Sequence, residues 1–522
     1  MARALALLSG VLLAASFPKY GHPAFAWTAL APLLIAVVIE VQRTAALSPR
    51  RGRVFVLGWI AGFTHFSLTV SWVVEVMSLH GGLPVVMAWL VMFLLAAYLA
   101  LYPALCAVLV GRAIRRFGLA GLWLAPLIWV ATEWLRGWVG GGFPWALLGT
   151  SQSGVTPIIQ LASVTGVFGV SVLLALVSTA AAVLALTRER RHMIAGVATL
   201  GLVAVVAALG TWRVAGGALV TQGPVVKVGL LQGNVEQNQK WDPAFKAVIL
   251  DRYLALSRRV ISEGARLVVW PEASTPFFLE AEPAAAAPIR ALARESRTPM
   301  IVGTDEYERD ADGDRVYNSA VAIGDDGMSA GGYRKMQLVP FGEYVPLKSL
   351  LFFVGPLVEK VSDFAPGTEP TVLSFADTRS DAPGIRTGVA ICYEVVYPWI
   401  PRAFVAGGAQ LLTTITNDAW FGRSSAPHQH FSQAAVRAVE QGRYLIRAAN
   451  TGISGVVDPY GRTLLTTPLF EEAAVTADVR LIESRTIYSY LGDVVAWLGL
   501  LVCAWLVWPH AWGGQSFGGR RL

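Results

Sequence analysis

Cys392 follows directly on the apolar run Gly388-Val389-Ala390-Ile391, and it is the only cysteine in the long polar part of a 522-residue chain. Such a run reads as a buried strand, and a thiol at its end is presented for nucleophilic chemistry. A thiol attacks as the thiolate and so needs a base, while a tetrahedral adduct needs positive charge or N–H donors at its oxygen. Two more polar residues stand where strands should end. Glu272 lies just past Val268-Val269-Trp270, a run that Pro271 terminates. Lys335 closes Tyr333-Arg334-Lys335 and precedes an irregular loop, Pro340-Phe341-Gly342-Glu343-Tyr344. Glu272 can serve the thiol as base and Lys335 can serve the oxygen as cation. Strand ends meet in space in open α/β sheets, so residues this far apart in sequence can converge. Each alone has an ordinary structural reading, and only the set points to catalysis. Cys106 and Cys503 lie inside apolar runs as small buried hydrophobes, which leaves Cys392 without an obvious disulfide partner.

The elements that must position these residues begin near Val225, where short apolar runs start to alternate with charged amphipathic stretches, the texture of an α/β domain. The pattern predicts strands at 225–232, 266–270, 300–304, 316–323, 386–391 and 410–416, and helices at 243–263, 288–297 and 429–449. No internal repeat or low-complexity linker interrupts it.

The rest of the chain is of another kind. Hydrophobic residues make up 54% and charged residues 15%, a balance skewed toward a membrane protein. Apolar segments run over 4–17, 24–39, 54–77, 83–111, 118–135, 161–186, 193–212 and 491–508, which predicts eight transmembrane helices. The first two are short and need flanking residues or local thinning. After Arg3, segment 4–17 also has the form of a signal-peptide core, whose removal would leave the orientation of the rest unchanged. The net charge of +7 does not imply nucleic acid, because the arginines cluster between apolar runs. Arg43, Arg50, Arg51 and Arg53 follow the second segment, Arg112, Arg115 and Arg116 the fourth, Arg188, Arg190 and Arg191 the sixth, and Arg520 and Arg521 the last. The positive-inside rule places those loops and both termini in the cytoplasm and the α/β domain outside. The division is 1–213 for the first seven helices, 214–489 for the outer domain, and 490–522 for the eighth helix and a cytoplasmic tail.

His65, Glu75 and Glu133 fall inside apolar runs, where an ionisable group is costly unless paired or at an interface. Glu75 and Glu133 lie near the outer ends of their helices, so they are expected at headgroup level or lining a substrate cavity. The loop Gly140-Gly141-Gly142-Phe143-Pro144-Trp145 is too long and aromatic for a plain turn and is expected in the interface.

The segments Trp270-Pro271-Glu272, Tyr333-Arg334-Lys335 with 340–346, and Cys392-Tyr393-Glu394 resemble the Glu-Lys-Cys triad of the nitrilase superfamily. Within it the chain resembles, over nearly its full length, the apolipoprotein N-acyltransferase family of bacterial inner membranes. Gln232-Gly233-Asn234 with Lys240-Trp241-Asp242, Gly142-Phe143-Pro144-Trp145, and Thr416-Asn417-Asp418-Ala419-Trp420-Phe421-Gly422 carry the same similarity. The resemblance implies an αββα sandwich beside the helices and a ping-pong reaction. Cys392 would take an acyl chain from a phospholipid donor as a thioester and pass it to the α-amine of a diacylated apolipoprotein. It further implies that Glu272 is the general base, Lys335 stabilises the oxyanion and Glu343 is a supporting carboxylate. Tyr393 and Glu394 would shape the pocket, and Trp241 would belong to a mobile lid. No cofactor is implied. The topology agrees: acyl-CoA and ATP are not in ready supply outside the membrane, so the donor must already be activated, as a phospholipid ester is.

Plainer readings stand beside these. Glu394 suits a helix N-terminus, and Glu343 suits a buried partner of Lys335 or Arg334. His428 and His430 are weak metal ligands two residues apart, and no metal is predicted. A triad of this kind also permits a membrane-anchored amidase with water as acceptor, and a scaffold or transporter with a degenerate outer domain is the non-enzymatic alternative.

Overall fold

The computed structural model describes residues 1–46, 51–310, 313–340, 342–344, 363–376 and 384–508. Arg50, Arg520 and Arg521 of the orienting charges, and Phe341, Val345 and Pro346 of the 340–346 loop, lie outside the described residues. The apolar segments before the first strand fold as α1 (Ala2–Ala14), α2 (Ala31–Ala46), α3 (Arg51–Thr69), α4 (Val85–Leu99), α5 (Leu101–Phe117), α6 (Ala125–Arg136), α7 (Ala162–Leu186) and α8 (Arg190–Gly216). Among the described residues, Pro23–Arg43, Val85–Arg136, Ala162–Leu186 and Arg190–Val220 are long and apolar enough to cross a membrane. The pair Gly52–Thr69 and Val73–His80, bent by 59°, makes a fifth if taken as one span. That is fewer than the eight expected. Val85–Arg136 runs as one apolar stretch because Ala100, between α4 and α5, keeps helical φ and ψ of −64° and −16°. The helices Ala2–Ala14 and Val494–Val507 are apolar but fall short of the ~20 residues a span needs. Val86, Leu90 and Leu94 on α4 and Val197, Leu200 and Leu209 on α8 are exposed, apolar faces suited to lipid rather than water.

After α8 the chain alternates strand and helix: β1 (Val225–Gln232), α9 (Lys246–Ser262), β2 (Leu267–Val269), α10 (Pro283–Ser296), β3 (Met300–Asp310), β4 (Gly313–Ile323), β5 (Ser329–Arg334), β6 (Val372–Phe375), β7 (Ile385–Ile391), α11 (Trp399–Ala406), β8 (Leu411–Thr416), α12 (Ala426–Gln441), β9 (Leu445–Ala449), β10 (Gly455–Val457), β11 (Thr463–Thr466), β12 (Ala473–Arg480) and finally α13 (Val494–Val507). Two six-stranded sheets form, in the orders β12-β1-β2-β3-β4-β5 and β11-β10-β9-β8-β7-β6. Each has three parallel strands at its centre, β1-β2-β3 and β7-β8-β9, with antiparallel strands outside. Alternation builds the layers. Leu267, Val269, Ile301, Ala320 and Ala322 face Val389, Ile391, Leu411 and Ile415 of the second sheet. Val268, Met300, Val302, Val321 and Ile323 face outward onto Tyr253 of α9 and Ile289 and Leu292 of α10. The second sheet is covered by Ile400 and Phe404 of α11 and Ala434 and Ala438 of α12, so the layering is αββα.

One expectation of the outer domain changes, and several buried polar groups find partners. The helix expected at 429–449 ends at Gln441, because Gly442 takes a left-handed φ of 63° and closes it, and Leu445–Ala449 is a buried strand. Within the 140–145 loop, Gly140 and Gly141 are exposed while Gly142, Pro144 and Trp145 are buried. Arg136, buried on α6, donates to the Phe143 and Trp145 carbonyls, both at 2.7 Å, and Trp145 is 1% exposed. Glu133 is buried, lines a small cavity together with His65 and Arg136, and its Oε1 accepts the Leu148 N–H at 2.7 Å. His65 is likewise buried, beside Thr69. Glu75 is half-buried against Gly422, where any added Cβ would meet its Oε1.

Within β7, a Cβ on Gly388 would sit 2.3 Å from Cβ and Cγ of Phe404, which the α11 layer cannot move aside freely. Gly388→Ala is expected to destabilise the protein by about 1–3 kcal/mol through overpacking. Gly154→Ala, with nothing within 4 Å, should stay within about 0.5 kcal/mol. Thermal melting of both variants in detergent checks the contrast.

Candidate active site

Cys392 begins a short 3-10 turn, Cys392–Val396, at the C-terminal end of β7, and its φ of +51° lies in the left-handed region. A non-glycine residue there stores roughly 1–3 kcal/mol of strain and persists only when its surroundings hold it. Glu394 is one such holder. Its Oε2 accepts the Ile391 N–H at 2.8 Å, and its Oε1 accepts from Met336 N (2.7 Å), Gln337 N (3.1 Å) and the Tyr333 hydroxyl (2.7 Å). The nucleophile turn is thereby tied to the chain just beyond Lys335. Burial pushes the Glu394 carboxyl up to about 7, against the pull of these donors and of Lys335. Tyr393 is buried and turned away toward the 140–145 loop: its hydroxyl donates to the Gly142 carbonyl at 3.4 Å, and its ring stacks 6.4 Å from that of Trp145.

Glu272 follows β2, and Lys335 follows β5, as the sequence expects. The structure brings them together with Glu343. Lys335 Nζ is 2.8 Å from Glu343 Oε1 and 3.4 Å from Glu272 Oε1, with the lysine side chain 1% exposed. Asn318 of β4 donates to both carboxylates, at 2.7 Å to Glu272 and 2.8 Å to Glu343. The remaining oxygens are taken by backbone: Asn417 N–H to Glu272 Oε2 at 2.7 Å and Val339 N–H to Glu343 Oε2 at 2.8 Å. The alternative of Glu343 as a buried partner of Lys335 is met geometrically, and it coexists with a place beside Glu272.

The electrostatics follow from these contacts. Burial favours the neutral form of Glu272, but Lys335, Asn318, Lys240 and the Asn417 N–H outweigh it and hold the carboxyl below its usual value. Burial also opposes the Lys335 charge, and Glu343, Glu272 and Cys392 more than reverse it, so the ammonium is strongly favoured. The Cys392 thiol is pushed well up, first by burial and then by Glu272, with Lys335 pulling the other way. At rest the site therefore holds a carboxylate, an ammonium and a protonated thiol. A carbonyl over Cys392 would let the thiol proton pass toward Glu272 while charge develops near Lys335, so nucleophile activation waits for substrate.

Trp241 is 46% exposed, its ring 6.3 Å from that of Phe278, at the surface before α9. Its neighbour Lys240 is buried, and its Nζ donates to the Glu272 carbonyl at 3.2 Å. Asp305, also buried, is raised to about 7, mainly by burial. Sequence reasoning missed Asn318, whose one signal is a lone amide in the apolar strand Val316-Tyr317-Asn318-Ser319-Ala320-Val321. It read His430 as a weak metal ligand and Asp418 only as part of a family-like segment, and it missed Arg447; all three are fully buried beneath the Cys392 turn.

Residues 9–180 match the family model described as Apolipoprotein N-acyltransferase N-terminal domain, and residues 227–487 match that described as Carbon-nitrogen hydrolase. The apolipoprotein N-acyltransferase of Geobacter metallireducens is 41% identical over 504 residues, covering 94% of this chain and 92% of that one. Its counterpart in Methylococcus capsulatus is 37% identical over 522 residues, covering 99% and 96%.

Asn318 lowers the Glu272 pKa, so Asn318→Ala raises it. If Glu272 takes the thiol proton as its carboxylate, the acidic limb of the rate of Cys392 modification should move to higher pH in this variant. A pH–rate profile of both proteins measures the displacement.

Proposed function

The chain belongs to the apolipoprotein N-acyltransferase family, and from that membership and the buried site at Cys392 we propose that it transfers an acyl chain from a phospholipid to the N-terminal amine of a diacylated apolipoprotein. The observation that carries this is the enclosed cluster of Glu272, Lys335 and Glu343 beside a strained cysteine, in a protein whose other half is built of lipid-suited helices.

The reaction runs in two half-cycles. In the first, Cys392 sulfur bonds to the phospholipid ester carbonyl as its proton passes to Glu272, and the oxyanion forms facing Lys335. Collapse breaks the ester C–O bond, and the leaving lysophospholipid oxygen takes the proton from Glu272, which leaves a thioester. In the second, the α-amine of the diacylglyceryl-cysteine attacks the thioester and gives its proton to Glu272. Collapse then breaks the C–S bond and returns the proton to sulfur. An ester becomes an amide, so no cofactor or energy source is needed. Glu343 keeps Lys335 in place between half-cycles, Tyr393 and Glu394 shape and tie the turn, and Trp241 belongs to a lid segment over the site.

The same reading assigns eight membrane spans. α4 with α5 makes one, α6 another, and α1 and α13 reach across with flanking residues or a thinned bilayer. The domains are 1–213 with the first seven spans, 214–489 outside the membrane, and 490–522 with the eighth span and a cytoplasmic tail. Arginine clusters on alternate loops support both termini in the cytoplasm of a bacterial inner membrane, with the catalytic part in the periplasm. Outside the cytoplasm a phospholipid ester is an acyl donor that needs no ATP, and its tail can stay in lipid during attack.

Purified protein given phospholipid should carry an acyl mass on the peptide containing Cys392, and adding a diacylated lipopeptide should move that acyl group to the peptide amine. Cys392→Ala should abolish both. Free fatty acid alone would mark a hydrolase that uses water, and full transfer by Cys392→Ala would remove the enzyme's nucleophile from the account.

A further inference from the structure

His430 lies on α12 under the nucleophile turn, fully buried, and none of the chemistry above uses it. Its Nε2 is 3.0 Å from the Cys392 carbonyl oxygen. Its Nδ1 is 3.1 Å from Asp418 Oδ1 and 3.0 Å from Arg447 Nη2. Arg447 Nη2 is itself 2.8 Å from Asp418 Oδ2, and the Thr416 hydroxyl donates to Asp418 Oδ1 at 2.9 Å. The rings of Trp145 and Phe421 close the remaining sides, with centroids at 5.6 Å and 6.1 Å. These groups come from the 416–421 segment, β9 and the 140–145 loop, so the imidazole is held on several sides.

The proton at Nε2 follows from its partner. A backbone carbonyl can only accept, so Nε2 must donate. If Arg447 donates to Nδ1, the ring is neutral and Nε2 carries its single proton. If Asp418 accepts from Nδ1, the ring is doubly protonated and Nε2 still carries one. The grip on the Cys392 carbonyl is therefore the same in either state.

That carbonyl belongs to the peptide unit that also contains the Tyr393 N–H. In a trans peptide the two bonds point in opposite directions within one plane. Drawing the oxygen down onto His430 turns the Tyr393 N–H up, away from α12, and that N–H meets no acceptor outside its own 3-10 turn among the described residues. An N–H just after a nucleophile on a sharp strand-to-helix turn is placed to meet a tetrahedral oxyanion. The left-handed φ of Cys392 is the conformation that such a turn requires, and its strain needs a restraint from below.

We infer that His430, clamped by Asp418 and Arg447, is a positioning residue that fixes the Cys392–Tyr393 peptide plane and so aims the Tyr393 N–H at the oxyanion of both half-reactions. The inference rests on the thioester reading of Cys392. It assigns His430 no proton transfer and no contact with substrate.

The test separates a reaction that makes an oxyanion from one that does not. Alkylation of Cys392 by iodoacetamide displaces iodide at a saturated carbon and forms none, whereas acylation by phospholipid must form one. Both rates are read on the Cys392 peptide by mass spectrometry in the full-length protein. His430→Leu is expected to slow single-turnover acylation on the order of 100-fold, as for loss of an oxyanion donor, with alkylation little changed. His430→Gln, whose amide N–H can reach the same carbonyl, should recover most of the acylation rate. Equal slowing of both reactions in His430→Leu, unchanged acylation in that variant, or no recovery with Gln would overturn the assignment. Should His430→Leu fail to fold, a His430→Gln variant that alkylates normally and yet acylates as slowly as one lacking any donor would overturn it equally. Absence of an acyl mass on Cys392 in the unaltered protein would instead strike the thioester reading itself, so the two failures are told apart.

Discussion

Lys335 is one ammonium shared by two buried carboxylates, and most of the outer domain is arranged to make that arrangement tolerable. Removing a partner from a buried pair costs about 3–5 kcal/mol, since it leaves a charge with nothing to balance it. Glu272 and Glu343 lie with little exposure, so every oxygen must be met. The donors come from separated parts of the chain: Asn318 from β4, Asn417 N–H from the end of β8, Val339 N–H from the loop after β5. Asn417 reaches Glu272 from the opposite sheet. The cluster thus fixes how the C-terminal ends of the two sheets face each other, and Cys392 stands at one of those ends.

A second constraint sets this assembly against the membrane helices, and it runs through α12. His430, Ala434 and Ala438 of that helix pack toward the second sheet, while Val436 and Val439 join the helical core. Gln429 accepts the Trp145 indole N–H at 2.7 Å and donates to the Thr69 carbonyl at 3.2 Å. Glu440 accepts the Val167 N–H at 2.8 Å, a donor released where Gly166, at φ 68°, interrupts α7. A side chain at Gly166 would strike the Tyr488 ring at 2.4 Å, so the interruption and the close packing need the same residue. The turn that carries the thiol is therefore registered to the lipid-facing half by side chains on both faces of one helix.

How much of this was legible depended on whether the signal was local. Strand β1 has the bounds that its run of apolar residues predicts, and Glu272 and Lys335 sit past strands as expected, because alternation and breakers act over a few residues. β5, with the sequence Ser-Ala-Gly-Gly-Tyr-Arg, shows no alternation, and its strand form comes from pairing with β4. The helix at 429–449 was drawn too long because Leu445 and Ile446 continue an apolar pattern that Gly442 ends. Glu133 and Trp145 find amides and side chains distant in sequence, which local composition cannot name. Asn318 was invisible for the same reason, and His430 was weighed only as a metal ligand. Their partners become neighbours only once both sheets and α12 are assembled.

The resting charge state accounts for why the proposed cycle can use one site twice. Burial and Glu272 keep the Cys392 thiol protonated, so no thiolate stands exposed to wandering electrophiles. Activation needs an oxyanion close by, and only a bound carbonyl supplies it. In the proposed cycle the phospholipid ester and the acyl thioester both present a carbonyl to Lys335, and both release a group that recovers a proton from Glu272. A lysine shared between two carboxylates suits this repetition. As charge on Glu272 is neutralised by the incoming proton, Glu343 still holds Lys335, and the ammonium stays in place to meet the developing oxygen. With Glu272 as its only partner, the cation would be free to move at the moment it is needed. In that proposed cycle the second carboxylate serves through its geometry and exchanges no proton in either half-reaction.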